Sequence, residues 1–230
     1  RVIVCCRRSS EALYHDVTES FVFHDIQGVP NCHRIYDVTH PEEIRRIRDL
    51  VPADADHLRP VRYVPRGEQT FIRFGTPRDK PAADVLIHAR GRSLDAGRNW
   101  GAAEWRACVR GMEESGLRVG CLGLRASTLP VACSCDYRDQ PLSTTMDVIA
   151  SARLVVGPSS GPMHLASLCG TPHLVWADRR TYSMKKTSRE KYETWWNPLR
   201  TKAIVIDEYG YDVPVATVLS EVRRYLEDKA

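Results

Sequence analysis

The chain has 230 residues, of which 43% are hydrophobic and 27% are charged, and its formal net charge is +4. This composition is typical of an ordinary globular chain that forms one large domain or two small ones. No apolar run approaches the length needed to span a membrane, and the N-terminus lacks a signal-peptide pattern. We therefore expect a cytoplasmic protein without a transmembrane segment, although a peripheral membrane contact is left open. Because the chain begins at Arg1 on a strand-like segment, without a methionine, we expect a fragment of a longer protein.

The first part of the chain predicts a smaller N-terminal α/β lobe. Apolar runs predict strands at 2–6 and 20–23, and the spacing of apolar residues predicts a short helix at 41–51. Prolines and glycines between residues 60 and 81 predict an irregular linker. We place the boundary near Asp79, which gives an N-terminal lobe and linker at 1–79 and a second lobe at 80–230. Whether the N-terminal lobe is complete is left open.

The second part alternates between strand and helix patterns. Strands are predicted from Val85, at 117–122, from Leu154, at 173–176 and at 203–206. Between and after them, helices are predicted from Ala102 to a stop at Gly116, and at 143–152 and 215–226. Such alternation is typical of a doubly wound, Rossmann-like parallel sheet, so the predicted fold class is α/β.

The most informative segment is 154–172, which contains a strand, a loop of small residues and a helix start. Ser160 or Gly161 can cap the helix, and Pro162 suits its first turn. Unpaired N–H groups at such a helix start, together with the positive end of the helix dipole, favour an anion. Phosphate is the ligand that this geometry suits best.

A basic loop follows the strand that begins at Val85. Arg90, Arg92 and Arg98 lie within nine positions of one another. Ligands of open α/β sheets bind at the carboxyl ends of the strands, where this loop and the Gly161 helix start are expected to meet. The sequence therefore predicts a diphosphate site in the second lobe.

Two motifs resemble a known family. The first, Gly157-x-Ser159-Ser160-Gly161-Pro162-Met163-His164-Leu165-Ala166, resembles the Asp-Ser/Thr-Gly-Pro-Met-His-Leu-Ala signature of the heptosyltransferase-like glycosyltransferases of family 9. The second runs from Val85 to Arg92 and continues with Arg98-Asn99-Trp100 and Glu104-Trp105; it resembles that family's first strand, basic loop and Lys-x-Trp-Pro-x-x-x-Trp helix entry. The resemblance covers about residues 84 to 177.

The resemblance implies a two-lobed GT-B fold and transfer of a sugar from a nucleotide-diphosphate sugar to a glycan or lipid-linked acceptor. It further implies inversion at the anomeric carbon, without a metal or other cofactor. The chain departs from the family in having Ser159 for Asp, Arg98 for Lys and Gly101 for Pro. Since the family's Asp contacts the donor sugar, heptose is not implied. The residues assigned to the donor diphosphate and sugar are Ser159, Ser160, Gly161, Pro162, Met163, His164, Arg90, Arg92 and Arg98.

Several residues allow two interpretations. His164 either hydrogen-bonds the donor or packs as a semi-buried histidine, and Trp195 and Trp196 with Tyr192 either stack on a ring of the ligand or, as we favour, fill the core. A second basic group either binds an anionic acceptor or, as we favour, is solvated; it consists of Arg179, Arg180, Lys185, Lys186, Arg189 and Lys191.

The cysteines are predicted to be thiols. Five of the eight fall in apolar patterns, where a reduced cysteine acts as a small hydrophobic residue: Cys5, Cys6, Cys108, Cys121 and Cys169. The pair Cys133 and Cys135, with Cys32-His33 as a second half, suggests a metal site, but its spacing matches no standard zinc site. Loop or core thiols are therefore the favoured interpretation.

No catalytic base is assigned. Asp16, Asp25 and Asp37 are candidates, yet none lies in a recognisable motif. The alternatives to a glycosyltransferase are a non-catalytic nucleotide-sugar-binding module and a nucleotide-sugar epimerase. Binding of nucleic acid is not expected, because no helix-turn-helix, zinc-finger or aromatic strand motif accompanies the small basic excess.

Overall fold

The computed structural model describes residues 2–5, 34–37, 73–81, 83–93, 96–179, 187–197 and 199–228. The chain divides into two units, residues 1–72 and 73–230. The strand predicted at 20–23, the helix predicted at 41–51 and most of the predicted linker lie outside the described residues. In the first unit, β1 (Val2–Cys5) pairs antiparallel with β2 (Arg34–Asp37), so that Val2 faces Asp37. β1 matches the strand predicted at 2–6 in all but its last residue.

The second unit contains a six-stranded parallel sheet with the order β5-β4-β3-β6-β7-β8. The doubly wound parallel sheet predicted from the sequence is thereby confirmed. The strands are β3 (Val85–Ile87), β4 (Val119–Cys121), β5 (Cys135–Asp136), β6 (Leu154–Pro158), β7 (His173–Trp176) and β8 (Ala203–Ile206). β5 was not predicted, because it has only two residues and lies in a polar stretch at the edge of the sheet.

Helices cover both faces of this sheet. They are α1 (Ala102–Glu114), α2 (Leu142–Ala150), α3 (Gly161–Leu168), α4 (Ser188–Glu190), which continues as a π-helical turn (Lys191–Trp195), and α5 (Val215–Glu227). α1 packs against α5, and α2 packs against α3. The α1 and α5 side chains share one core cluster with Val85 and Ile87 but not with Leu86. Since strand side chains alternate between the two faces of a sheet, the two helix pairs cover opposite faces. Both faces of the strands are therefore buried, which explains why the strands are continuous runs of apolar residues.

Three tryptophans anchor the core beneath the carboxyl ends of the strands. The ring centroid of Trp100 lies 5.1 Å from that of Trp105 and 4.8 Å from that of Trp176, and the Trp100 Nε1–H donates to the carbonyl of Val213 at 3.0 Å. All three side chains are buried. Trp100 thus fixes the end of the basic loop at the point where the chain enters α1.

The winding direction of the sheet reverses between β3 and β6. From β3 the chain moves outward through β4 to β5, and it then returns to lay β6 on the other side of β3. Val85 faces Leu154 and Ile87 faces Val156 in this pair. A crevice therefore opens beyond the carboxyl ends of β3 and β6, the usual ligand position in a doubly wound sheet.

Candidate functional site

The serine turn (Ser159, Ser160 and Gly161) connects β6 to α3. The Ser159 N–H donates to the carbonyl of Trp176 at 2.8 Å, which extends the β6–β7 pairing by one residue. Ser160 is the N-cap residue, with extended backbone angles, φ −165° and ψ 171°. Its carbonyl accepts the N–H groups of Met163 and His164, at 3.1 and 3.2 Å. The Met163 amide is therefore used inside the helix, and Pro162 has no N–H to offer.

Gly161 leaves the start of α3 open. As the first helical residue, it has no intrahelical acceptor for its N–H. A Cβ placed on Gly161 would meet nothing within 4 Å among the described residues. An incoming oxygen atom can therefore approach this N–H and the positive end of the helix dipole.

The arginine loop (Arg90, Arg92 and Arg98) lies at the end of β3. Arg90 is only 3% exposed, and its guanidinium donates to the side-chain oxygen of Asn99. The Asn99 amide in turn donates to the carbonyl of Arg92 at 2.8 Å, while the Arg92 residue itself is exposed. Asn99 thus links both ends of the loop through its side chain.

Arg98 joins the arginine loop to the serine turn. Its guanidinium donates to the carbonyl of Ser159 and lies over the Tyr211 ring, 5.4 Å from the centroid. The structure therefore brings together Arg98 and the serine turn, which are 61 positions apart in the sequence.

A segment at 122–132 supports the arginine loop. The N–H of Leu129 donates to the carbonyl of Ala89 at 2.8 Å, and the N–H of Gly91 donates to the carbonyl of Ser127 at 2.9 Å. A disulfide between Cys121 and Cys133 closes this segment. The predictions of thiols at Cys121 and at Cys133 are therefore both wrong. The chain reverses after β4 and brings the two Cα atoms to 6.2 Å, a contact that the local apolar pattern does not reveal.

His88 is a site residue that the sequence pattern did not single out. His88 follows β3 directly and is only 5% exposed. The Nδ1 atom of its ring lies 2.9 Å from the hydroxyl oxygen of Ser160. Burial, and then the charges of Arg90 and Arg92, lower the pKa of His88 to about 4, so the ring is neutral at physiological pH. Its position immediately after a buried strand at the reversal of the sheet is the signal that could have identified it.

Tyr192 is the second residue that was not assigned to the site. Its hydroxyl donates to the Ser159 hydroxyl at 2.9 Å and accepts the N–H of Ser160, and burial raises its pKa. It is held by a helix start in which Thr187 and Glu190 form a capping box. The pattern Thr-x-x-Glu at 187–190 is the sequence signal for this helix.

His164 lies in an aromatic cluster beneath the turn. Its ring stacks on Tyr192 at 5.2 Å between centroids, and it meets the edge of Trp196 at 4.6 Å. Burial, followed by the nearby His173 and Arg98, lowers the pKa of His164 to about 4. Tyr192 is fully buried, so it fills the core and does not stack on a ligand.

The second basic group is only partly described. Arg180, Lys185 and Lys186 lie outside the described residues. Arg189 pairs with Asp207 at 2.8 Å and with Glu208 at 3.2 Å, and the ammonium of Lys191 lies 5.2 Å from the centre of the Trp196 ring.

The candidate metal and base residues are largely undescribed. Within the described ranges, no group of three or more His, Cys, Asp and Glu side chains is placed to hold a metal ion. Cys32, His33, Asp16 and Asp25 lie outside those ranges, and Asp37 is the last residue of β2. Over the same part of the chain, every helix is too short or too polar to cross a membrane.

No family model matches the chain, and no curated protein matches it. Solved structures do. Heptosyltransferase II of Escherichia coli is 18% identical with a TM-score of 0.48, and the match covers 64% of this chain and 48% of that one. A family 9 glycosyltransferase from Veillonella parvula is 13% identical with a TM-score of 0.48, covering 64% and 47%. An iron-containing dodecameric glycosyltransferase from enterotoxigenic E. coli is 15% identical with a TM-score of 0.45, covering 70% and 51%. The matched part of this chain spans about half the length of each structure.

Proposed function

We propose that this chain carries the donor-binding half of a glycosyltransferase, which moves a sugar from a nucleotide-diphosphate sugar to a glycan or lipid-linked acceptor. One observation carries the proposal: the serine turn and the arginine loop meet at the reversal of the sheet, joined by the hydrogen bond from Arg98 to Ser159. An open helix start and a set of guanidinium groups at one crevice suit a diphosphate. We also propose that the protein is located in the cytoplasm, as predicted from the sequence.

The chemistry follows from the charge that develops on the leaving group. As the anomeric bond breaks, the departing nucleotide diphosphate gains negative charge, which fixed donors and cations stabilise without having to reorganise. The Gly161 N–H and the positive end of α3 supply fixed dipoles, and the arginine loop supplies full charges. A site of this composition supports metal-independent transfer, and the family resemblance supports inversion.

Within the assigned donor residues, the proposal gives Ser160 and Gly161 the direct contacts. The N–H, hydroxyl and carbonyl of Ser159 are each bonded within the protein, to Trp176, Tyr192 and Arg98. Ser159 therefore shapes the turn, whereas the neighbouring Ser160 hydroxyl and Gly161 N–H contact the phosphate. In the same scheme, Arg98 orients the turn and adds its charge.

Nucleotide binding tests this proposal. We would measure the thermal unfolding of the wild type with a panel of nucleoside diphosphates and nucleotide sugars, and then compare Gly161→Val and Arg98→Ala. A ligand present at one hundred times its Kd adds about 2.7 kcal/mol to the free energy of unfolding. We expect one nucleotide class to stabilise the wild type and neither variant. A Cβ at 161 meets nothing within 4 Å among the described residues, so we expect valine to enter the crevice without disturbing the fold.

Two matched variants control for general effects. Ala103→Val introduces a valine and Arg106→Ala removes an arginine at exposed positions of α1, and both variants should respond to the nucleotide as the wild type does. A wild type that no nucleotide stabilises would contradict the donor site. Release of nucleoside diphosphate from the sugar donor, followed by chromatography with and without acceptor glycans, then separates a transferase from a non-catalytic binding module.

A further inference from the structure

The polar groups of the serine turn are almost all engaged within the protein. Those of Ser159 bond to Trp176, Tyr192 and Arg98, as described above. The Ser160 N–H donates to the Tyr192 hydroxyl, and the Ser160 carbonyl accepts from the first turn of α3. The hydroxyl of Ser160 is thus the one group of this residue that can serve a ligand, and its partner in the protein is His88.

The His88 ring is fitted closely into the structure. A Cβ at position 123 would lie 3.0 Å from the ring Cδ2 and 3.2 Å from Nε2, so a glycine is needed beside the ring. Gly123 also has a φ of +107°, which side-chain-bearing residues rarely adopt. A Cβ at 157 would lie 3.3 Å from the Cβ of His88. The two glycines therefore allow His88 to pack closely at this position, where its Nδ1 lies 2.9 Å from the Ser160 hydroxyl.

The tautomer of His88 decides what the Ser160 hydroxyl can do. A serine hydroxyl has one proton to donate and two lone pairs that accept. If Nδ1 is unprotonated, it accepts a hydrogen bond from the Ser160 hydroxyl, and only the lone pairs of that hydroxyl remain to face an incoming anion. If Nδ1 carries the proton, it donates to the Ser160 oxygen, and the hydroxyl proton is free to point into the crevice.

We propose that His88 is a positioning residue, which donates from Nδ1–H to the Ser160 oxygen and thereby makes the hydroxyl a donor to a bound phosphate oxygen. This inference rests on the proposed function, because it assumes an anionic ligand at the serine turn. Burial and the neighbouring arginines keep the ring neutral, with a pKa of about 4. The Ser160 hydroxyl consequently keeps its donor role throughout the neutral pH range.

The tautomer can be read directly, before any ligand is added. In ¹⁵N-labelled protein at pH 7, the long-range couplings and shifts of the ring nitrogens distinguish Nδ1–H from Nε2–H, and the His88 signals are assigned from their loss in His88→Asn. We expect the Nδ1–H form. The Nε2–H form in the wild type, both free and with pyrophosphate bound, would overturn the proposal.

Binding of inorganic pyrophosphate, measured by calorimetry, tests the consequence. We expect His88→Leu and Ser160→Ala each to weaken affinity about tenfold, which corresponds to about 1.4 kcal/mol. The double variant should bind no more weakly than Ser160→Ala alone, since both changes remove the same donor. His88→Asn should stay within about threefold of the wild type, because its side-chain amide replaces the Nδ1–H donor.

The outcomes separate this inference from the proposed function. A wild type that binds neither pyrophosphate nor any nucleotide contradicts the donor site, and the role of His88 fails with it. A wild type that binds, with additive losses in the two single variants, leaves the donor site intact and contradicts the role of His88 alone. If His88→Leu does not fold, the tautomer and the comparison of His88→Asn with Ser160→Ala still decide.

Discussion

The two sides of the crevice offer an anion different kinds of interaction. The arginine loop supplies full charges on long side chains, supported from behind by the segment at 122–132 and by Trp100. The serine turn carries no charge, and it offers a backbone N–H, a hydroxyl and a helix dipole. Side chains from two distant parts of the sequence hold it in place: His88 and Arg98 in the segment that follows β3, and Tyr192 near the C-terminal end.

This difference shows how attraction and geometry are divided within one site. Charges such as that of the exposed Arg92 attract an anion over a distance of about 10 Å, and salt screens them. Fixed dipoles act only at contact, but they need no rearrangement when charge develops. The serine turn therefore keeps its donors in a fixed geometry only as long as the buried side chains behind it stay in place. Each prediction below acts first on one side of the crevice.

The largest effect is expected from acidification, which acts on the serine turn. Burial lowers the pKa values of His88, His164 and His173 to about 4, whereas an unfolded histidine has a pKa of about 6.5. Between these values the unfolded chain binds protons that the folded chain does not. The free energy of unfolding should therefore fall as the pH drops from 6.5 towards 4, by about 4 kcal/mol per pH unit when all three residues contribute. Urea unfolding at a series of pH values measures this slope.

One substitution isolates the contribution of a single histidine to the pH dependence of the unfolding free energy. His164→Phe keeps an aromatic ring between Tyr192 and Trp196, and it should reduce the slope by about 1.4 kcal/mol per pH unit. The charges of Arg90 and Arg92 help to lower the pKa of His88, so the arginine loop affects this profile through that histidine. An unfolding free energy that stays constant from pH 6.5 to 4.5 would show that these histidines are charged in the folded protein.

The second effect acts on the arginine loop through the disulfide behind it. Cys121 and Cys133 are 12 positions apart, and the closure of such a loop stabilises the folded state by about 3 kcal/mol in the chain-entropy model. Reduction with dithiothreitol should lower the free energy of unfolding by about this amount. Urea unfolding with and without the reductant provides the measurement.

A paired control makes this result specific. The double variant Cys121→Ser and Cys133→Ser should not respond to dithiothreitol, since its remaining described cysteines are thiols. Equal stability of the wild type with and without reductant would mean that the bond does not brace the loop. In a reducing compartment the bond would open, so the protein would work there in its less stable form.

The fold could be read from the sequence because its signals are local. Apolar runs predicted β1, β3 and the other central strands, and the spacing of Trp105, Cys108 and Met112 predicted α1. β5 was missed because two residues at a sheet edge, Cys135 and Asp136, carry no such pattern, and β2 was not predicted either. The parallel sheet followed from the alternation of strands and helices, which favours parallel crossovers, whereas the order of the strands was not predicted.

The candidate site could be predicted only in part, because the sequence signals are local. The arginine loop and the serine turn are contiguous segments with recognisable residue types. The groups that hold the turn are not contiguous, since His88 and Ser160 are 72 positions apart and Tyr192 and Ser159 are 33 apart. The Cys121–Cys133 bond depends likewise on a chain reversal after β4. These contacts are set by tertiary packing, which the periodicity of a single segment does not encode.

The smallest effect is expected from Tyr192→Phe, which removes one hydroxyl from behind the serine turn. The Ser159 hydroxyl and the Ser160 N–H then lose their shared partner in a buried place, at a cost of about 1–2 kcal/mol. Urea unfolding should show this loss, whereas Tyr209→Phe, at a residue that is 50% exposed, should change stability by less than about 0.5 kcal/mol.

Amide hydrogen exchange shows on which side of the crevice the Tyr192→Phe loss falls. We expect faster exchange at Ser160 in the variant and unchanged exchange at Gly91, whose N–H bonds to Ser127 on the arginine side. Equal acceleration at both amides would mean that the two sides open as one unit. The serine turn would then depend on the stability of the whole sheet, and not on its own buried partners.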